Sequence, residues 1–69
     1  MATFSERILL LREERKLSQA AVAAEMGITS RTYQRYESGE REPVVSTLIR
    51  MAKFFRVSTD YLAGISDQR

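Results

Sequence analysis

Neither cysteine nor histidine occurs among the 69 residues, and that double absence removes the covalent and metal staples on which many small chains depend. A chain of this length buries only about 60% of the surface that its unfolded form exposes, too little to divide between two cores. One core held by apolar packing alone is expected, with a stability of roughly 3–5 kcal/mol unless idealised helix packing or self-association adds to it. No disulfide, thiolate site or zinc site is expected, and no cofactor. A reducing cytoplasm permits such a composition. Met1 is followed by the polar Thr3, Ser5 and Glu6, and the apolar run Ile8 to Leu11 is shorter than a signal-peptide core or a membrane span. A cytoplasmic protein with no membrane association is therefore expected.

Apolar residues recur at helical spacing along the whole chain, and nowhere do β-branched or aromatic residues alternate with polar ones over a strand's length. The fold class is all-α. Thr3 and Glu6 have the spacing of a capping box, followed by Ile8, Leu9 and Leu11, so a first helix is expected from about Phe4 to Arg15. Lys16 and Leu17 form the connection. Ser18 then caps an alanine-rich helix from Gln19 to Met26, with Ala20, Val22, Ala23 and Met26 at inward spacing. Gly27 suits a left-handed stop after Met26, and Ile28 supplies the hydrophobic contact of such a stop. Thr29 or Ser30 caps a third helix that runs to Glu37 or Ser38 before Gly39 ends it. Gly39 to Pro43 is a loop, because Pro43 keeps Glu42 from being helical. A fourth helix from Val45 to Phe55 follows, its Leu48, Met51, Ala52 and Phe55 spaced at three and four. Ser58 caps a short fifth helix with Asp60 in its first turn, and Gly64 closes it. One domain is expected over residues 1–65, with residues 66–69 as a flexible tail or the start of a linker.

Eleven basic residues against nine acidic ones leave a net charge of +2, a weak argument for nucleic-acid binding unless the charges are arranged. They are arranged on the third helix. At about 100° per residue, Ser30, Gln34, Ser38, Arg31 and Arg35 share one sector, while Thr32, Tyr36 and Tyr33 fall opposite. The tyrosine side can pack, leaving a wholly polar side outward. Arginine can donate a bidentate pair to guanine O6 and N7, and glutamine can pair with adenine N6 and N7. Ser30, Arg31, Gln34 and Arg35 are therefore base-reading candidates, and Arg41 in the following loop is a phosphate-binding candidate. Two arginines one turn apart are in themselves better read as an ordinary solvated surface.

The segment QAAVAAEMGITSRTYQRYESG, Gln19 to Gly39, shifts that balance: it resembles the helix-turn-helix of the lambda repressor, Cro and Xre family of transcriptional regulators. The resemblance includes Leu17-Ser18-Gln19, small Ala23 where two helices cross, Gly27, apolar Ile28, and Glu37-Ser38-Gly39. Pro43, Leu48, Ala52, Phe55, Val57, Ser58 and Leu62 extend it, so that it covers about Phe4 to Gly64. It implies a five-helix lambda-repressor-like fold with helices two and three as the helix-turn-helix. It also implies that Gln19 and Thr29 hydrogen-bond DNA phosphates, and that Arg12 pairs with Glu37 in a structural salt bridge. Thr29 has the alternative role of capping its own helix, and Gln19 that of merely following a cap. The chain departs from the family at Val44, where a polar cap is usual, and at Arg56, where glycine or asparagine is favoured.

The implied function is sequence-specific binding of double-stranded DNA in the major groove, by a transcriptional repressor acting as a homodimer on an inverted repeat. Two half-sites about 34–36 Å apart are expected, since one recognition helix covers too few base pairs. Exposed apolar candidates for the dimer surface lie in the C-terminal helices: Ile49, Phe54, Tyr61 and Ile65, with core packing the better reading for Tyr61. A second class of function is an antitoxin or protein-interaction module on the same fold. A DNA reader loses affinity steeply with salt, about −0.9 in log–log slope per phosphate, and an interaction module does not. An enzyme is not expected, since the sequence clusters no catalytic groups and the chain is too small to enclose a pocket. Nor is a small-molecule ligand.

Overall fold

The computed structural model describes residues 3–69, and in it five helices are connected by tight capped turns: α1 (Phe4–Glu14), α2 (Gln19–Met26), α3 (Ser30–Ser38), α4 (Val45–Phe55) and α5 (Thr59–Ala63). No strand occurs among the described residues. Five helices in this order are what the resemblance implied. Four of the five helix starts are capped by a hydroxyl, because the first backbone N–H groups of a helix otherwise lack acceptors. Thr3 forms the full capping box with Glu6, Ser18 accepts from Ala21 N, Thr29 from Thr32 N, and Ser58 from Tyr61 N. The exception is α4, where Val44 offers no side-chain cap.

Helix α2 packs against α3 and α4, α1 against α3 and α5, and α4 against α5. The core between them contains Ile8, Leu11, Val22, Ala23, Met26, Tyr33, Tyr36, Met51, Ala52, Phe55, Tyr61 and Leu62. Ala20 is exposed and does not join them; the register of α2 is set by Val22, Ala23 and Met26, which turn Ala20 toward solvent. Gly27 is left-handed, φ +69°, and a Cβ there would lie 3.4 Å from the Arg50 guanidinium. That guanidinium in turn donates to the Met26 carbonyl at 2.9 Å, satisfying an acceptor at the end of α2.

Two non-glycine residues, Lys16 and Arg56, also occupy the left-handed region, at φ 55° and 57°. Arg56 is the C-cap of α4, so the departure noted at that position costs backbone strain.

Residues 66–69, expected as a flexible tail, fold back across α1. Arg7, only 3% exposed, donates to the carbonyls of Tyr61 and Ser66 and to Asp67, with its guanidinium 4.2 Å above the Tyr61 ring. Arg69 forms two hydrogen bonds to Glu14, and Ser58 N donates to the Arg69 carbonyl. The partners of Arg7 lie more than fifty residues away in sequence, beyond the reach of any local pattern.

Candidate nucleic-acid interface

The polar side of α3 is positioned by the burial of its opposite side. Tyr33 is 0% and Tyr36 3% exposed, and the Phe4 ring meets Tyr36 edge-on at 6.2 Å, closing the core beneath the helix. With both rings fixed, Ser30, Arg31, Gln34 and Ser38 are exposed and Arg35 is half-exposed. Arg31, Gln34, Arg35, Ser38 and Glu40 line one shallow depression of about 360 Å³. Neither Arg31 nor Arg35 enters an ion pair among the described residues. Both guanidiniums thus retain all their donors for an external acceptor.

The base of this surface is an ion pair with an added amide. Arg12 Nε donates to Glu37 Oε2 at 2.6 Å and Arg12 Nη2 to Glu37 Oε1 at 3.1 Å, a bidentate geometry that joins α1 to the last turn of α3. Gln19 Nε2 donates to Glu37 Oε1 at 2.9 Å, so the start of α2 is fastened to the same carboxylate. Burial by itself would raise the Glu37 carboxyl, but the hydrogen bonds from the Arg12 guanidinium and the Gln19 amide outweigh it and hold it below the usual carboxylate range. Arg12 is raised by the same contact. The Tyr33 hydroxyl is buried without a hydrogen-bond partner among the described residues, so the bonds that hold Glu37 are those from Arg12 and Gln19. Burial, reinforced by Glu37, pushes the Tyr33 phenol far above its ordinary value.

These contacts group the candidate residues. Ser30, Arg31, Gln34 and Arg35 lie together on α3. Gln19 is half-buried beside them, one amide hydrogen engaged by Glu37 and the other donor and the carbonyl unassigned. Thr29 is the cap of α3, and its hydroxyl also donates to Thr32 Oγ1 at 3.0 Å. Arg41 does not line the α3 depression; it borders a separate groove of about 610 Å³ floored by Phe4, Tyr36, Pro43 and Leu48. Glu40, which is not among the candidates named from the sequence, lies in the depression itself; its position directly after the helix-ending Gly39 is the signal that could have found it.

Comparison with known proteins gives a consistent result. The model of the Helix-turn-helix family matches residues 8–62. The uncharacterized HTH-type transcriptional regulator YqaE of Bacillus subtilis (strain 168) is 44% identical over 59 residues, covering 86% of this chain and 51% of that protein. The cryptic phage CTXphi transcriptional repressor RstR of Vibrio cholerae is 39% identical over 64 residues, covering 93% of this chain and 58% of RstR. The chain spans about half the length of these relatives. Among solved structures, the P22 c2 repressor in complex with synthetic operator 9T superposes with a TM-score of 0.89 at 29% identity, over 96% of this chain and all of that one.

Proposed function

Because the chain belongs to the helix-turn-helix family, in its Cro and Xre branch of transcriptional regulators, we propose that it binds double-stranded DNA sequence-specifically with α3 in the major groove. The observation that supports this most is the division of α3: two arginines with no ion pair among the described residues on one side, two buried tyrosine rings on the other. A surface helix fixed by its back can offer side chains to base edges without a further cost for ordering the backbone that carries them. In this reading Arg31 and Arg35 donate to guanines, Gln34 pairs with an adenine, and Ser30 contacts a neighbouring base edge. Gln19 donates to a phosphate beside the groove, Thr29 does so by turning its hydroxyl away from Thr32 Oγ1, and Arg41 reaches a phosphate from the loop.

The proposed regulatory role is repression by operator occupancy, in the cytoplasm, by a homodimer on an inverted repeat. RstR is by name a phage repressor, and the P22 c2 repressor was solved with an operator. In this reading the second copy is met by exposed apolar residues at the C-terminal side. Ile49 is 42% and Ile65 69% exposed, whereas Tyr61 is buried and Phe54 packs edge-on against Phe55 at 5.0 Å. Val45, one turn before Ile49 on α4, extends that apolar strip.

Selection of bound duplexes from a random pool tests the reading. The expected result is an inverted repeat whose guanines become dispensable in Arg31→Ala and Arg35→Ala, with binding that weakens steeply as salt rises. Enrichment unchanged in both variants would reject the assigned roles, and salt-independent binding to a protein partner alone would favour an antitoxin-type module.

A further inference from the structure

We infer that Glu40 is a further specificity-determining residue, whose carboxylate accepts a hydrogen bond from the exocyclic amine of a cytosine at the edge of the bases read by α3. The inference rests on the proposal that α3 lies in the major groove.

Glu40 is the first residue beyond the left-handed Gly39, φ +82°, and its backbone is tied to the helix it follows. Glu40 N donates to the Arg35 carbonyl at 3.0 Å, Arg41 N to the same carbonyl at 3.3 Å, and Ser38 Oγ at 3.1 Å. This is the bonding of a helix C-terminus closed by a left-handed residue, and it fixes the Glu40 backbone relative to Arg35. The side chain is exposed, borders the depression that Arg31, Gln34, Arg35 and Ser38 line, and forms no ion pair among the described residues. An acid at that place is repelled by every phosphate that Arg31 and Arg35 attract, so a seated complex needs a donor opposite it.

The major groove presents two base donors, the cytosine N4 and adenine N6 amines. An ionised carboxylate only accepts. Beside the adenine amine stands N7, an acceptor, which would face the second carboxylate oxygen lone pair to lone pair. Cytosine presents no such acceptor next to its amine, and it is therefore the base that Glu40 selects. Because the partner of that cytosine is a guanine, one G·C pair can satisfy an arginine of α3 and Glu40 together.

The test is selection from a random duplex pool by the wild-type chain, Glu40→Ala, Glu40→Gln, Arg31→Ala and Arg35→Ala. Affinities are then measured for duplexes that differ at the selected position. Wild type is expected to enrich cytosine at one position by about tenfold over other bases, within the range of a good base contact. In Glu40→Ala that position becomes degenerate while the guanine positions persist, and in Glu40→Gln it shifts to adenine, since an amide matches N6 and N7. An unaltered profile in both Glu40 variants, with guanine preferences lost in the arginine variants, overturns this inference alone. Profiles unaltered in all four variants overturn the groove-reading proposal and this inference with it.

Discussion

Glu37 is the residue on which most of the interface geometry converges. It receives Arg12 from α1 and Gln19 from α2 while itself belonging to α3. Truncating it strands a largely buried guanidinium, so Glu37→Ala is expected to lower unfolding stability by about 3 kcal/mol, measured by denaturant titration. Stability equal to the parent would mean that the pair contributes nothing. The pH dependence follows from the depressed carboxyl. Its folded value lies below the ordinary 4.5, so the ionised form stabilises the fold above that pH, and the contribution is lost as pH falls through the folded value. The stability gap between wild type and Glu37→Gln is therefore expected to narrow below about pH 4.5; a gap constant down to strong acid would assign the stabilisation elsewhere. The pairing entered through resemblance, since no local rule links residues twenty-five positions apart. That Gln19 joins it depends on side-chain packing that periodicity cannot express.

At the scale of the helix, every element was legible because helix starts and stops are written in local chemistry. Thr3, Ser18, Thr29 and Ser58 each accept a backbone N–H as their type and position require. The inward face of α2 was less legible: alanines give little amphipathic contrast, and Ala20 turned out exposed. Left-handed Lys16 was not legible at all, because lysine has no preference for that region. Val44 leaves the start of α4 uncapped and is 60% exposed, so Val44→Ser is expected to raise stability by about 1 kcal/mol with little lost burial. A thermal midpoint unchanged or lowered would show that those N–H groups are already satisfied. Gly27→Ala is expected to cost about 1–2 kcal/mol through its positive φ, the added Cβ meeting the Arg50 guanidinium only at ordinary contact distance. Equal stability of the two proteins in urea would argue against a strained turn.

On the scale of the whole molecule, α3 is held by an apolar core on one side and by charged long-range contacts at its margins. The sequence pattern expressed the core through the recurrence of apolar residues, whereas the fastening of residues 66–69 by Arg7 and of Arg69 by Glu14 lay outside any local pattern. Arg7→Met leaves the Tyr61 and Ser66 carbonyls without their donor, and is expected to cost about 2 kcal/mol and to speed amide exchange at residues 66–69. Exchange at the wild-type rate would show that the segment is held by other means. The central claim is that burial of Tyr33 and Tyr36 presents the opposite side of α3, rigid and cationic, to a duplex. Titrating duplex DNA into isotopically labelled protein while following backbone and arginine side-chain resonances tests it directly. The largest perturbations are expected at Gln19 and from Ser30 to Glu40, including the Arg31 and Arg35 guanidiniums, with the tyrosine ring environment preserved. Perturbations centred on α4 and α5, with those two guanidiniums unmoved, would contradict it.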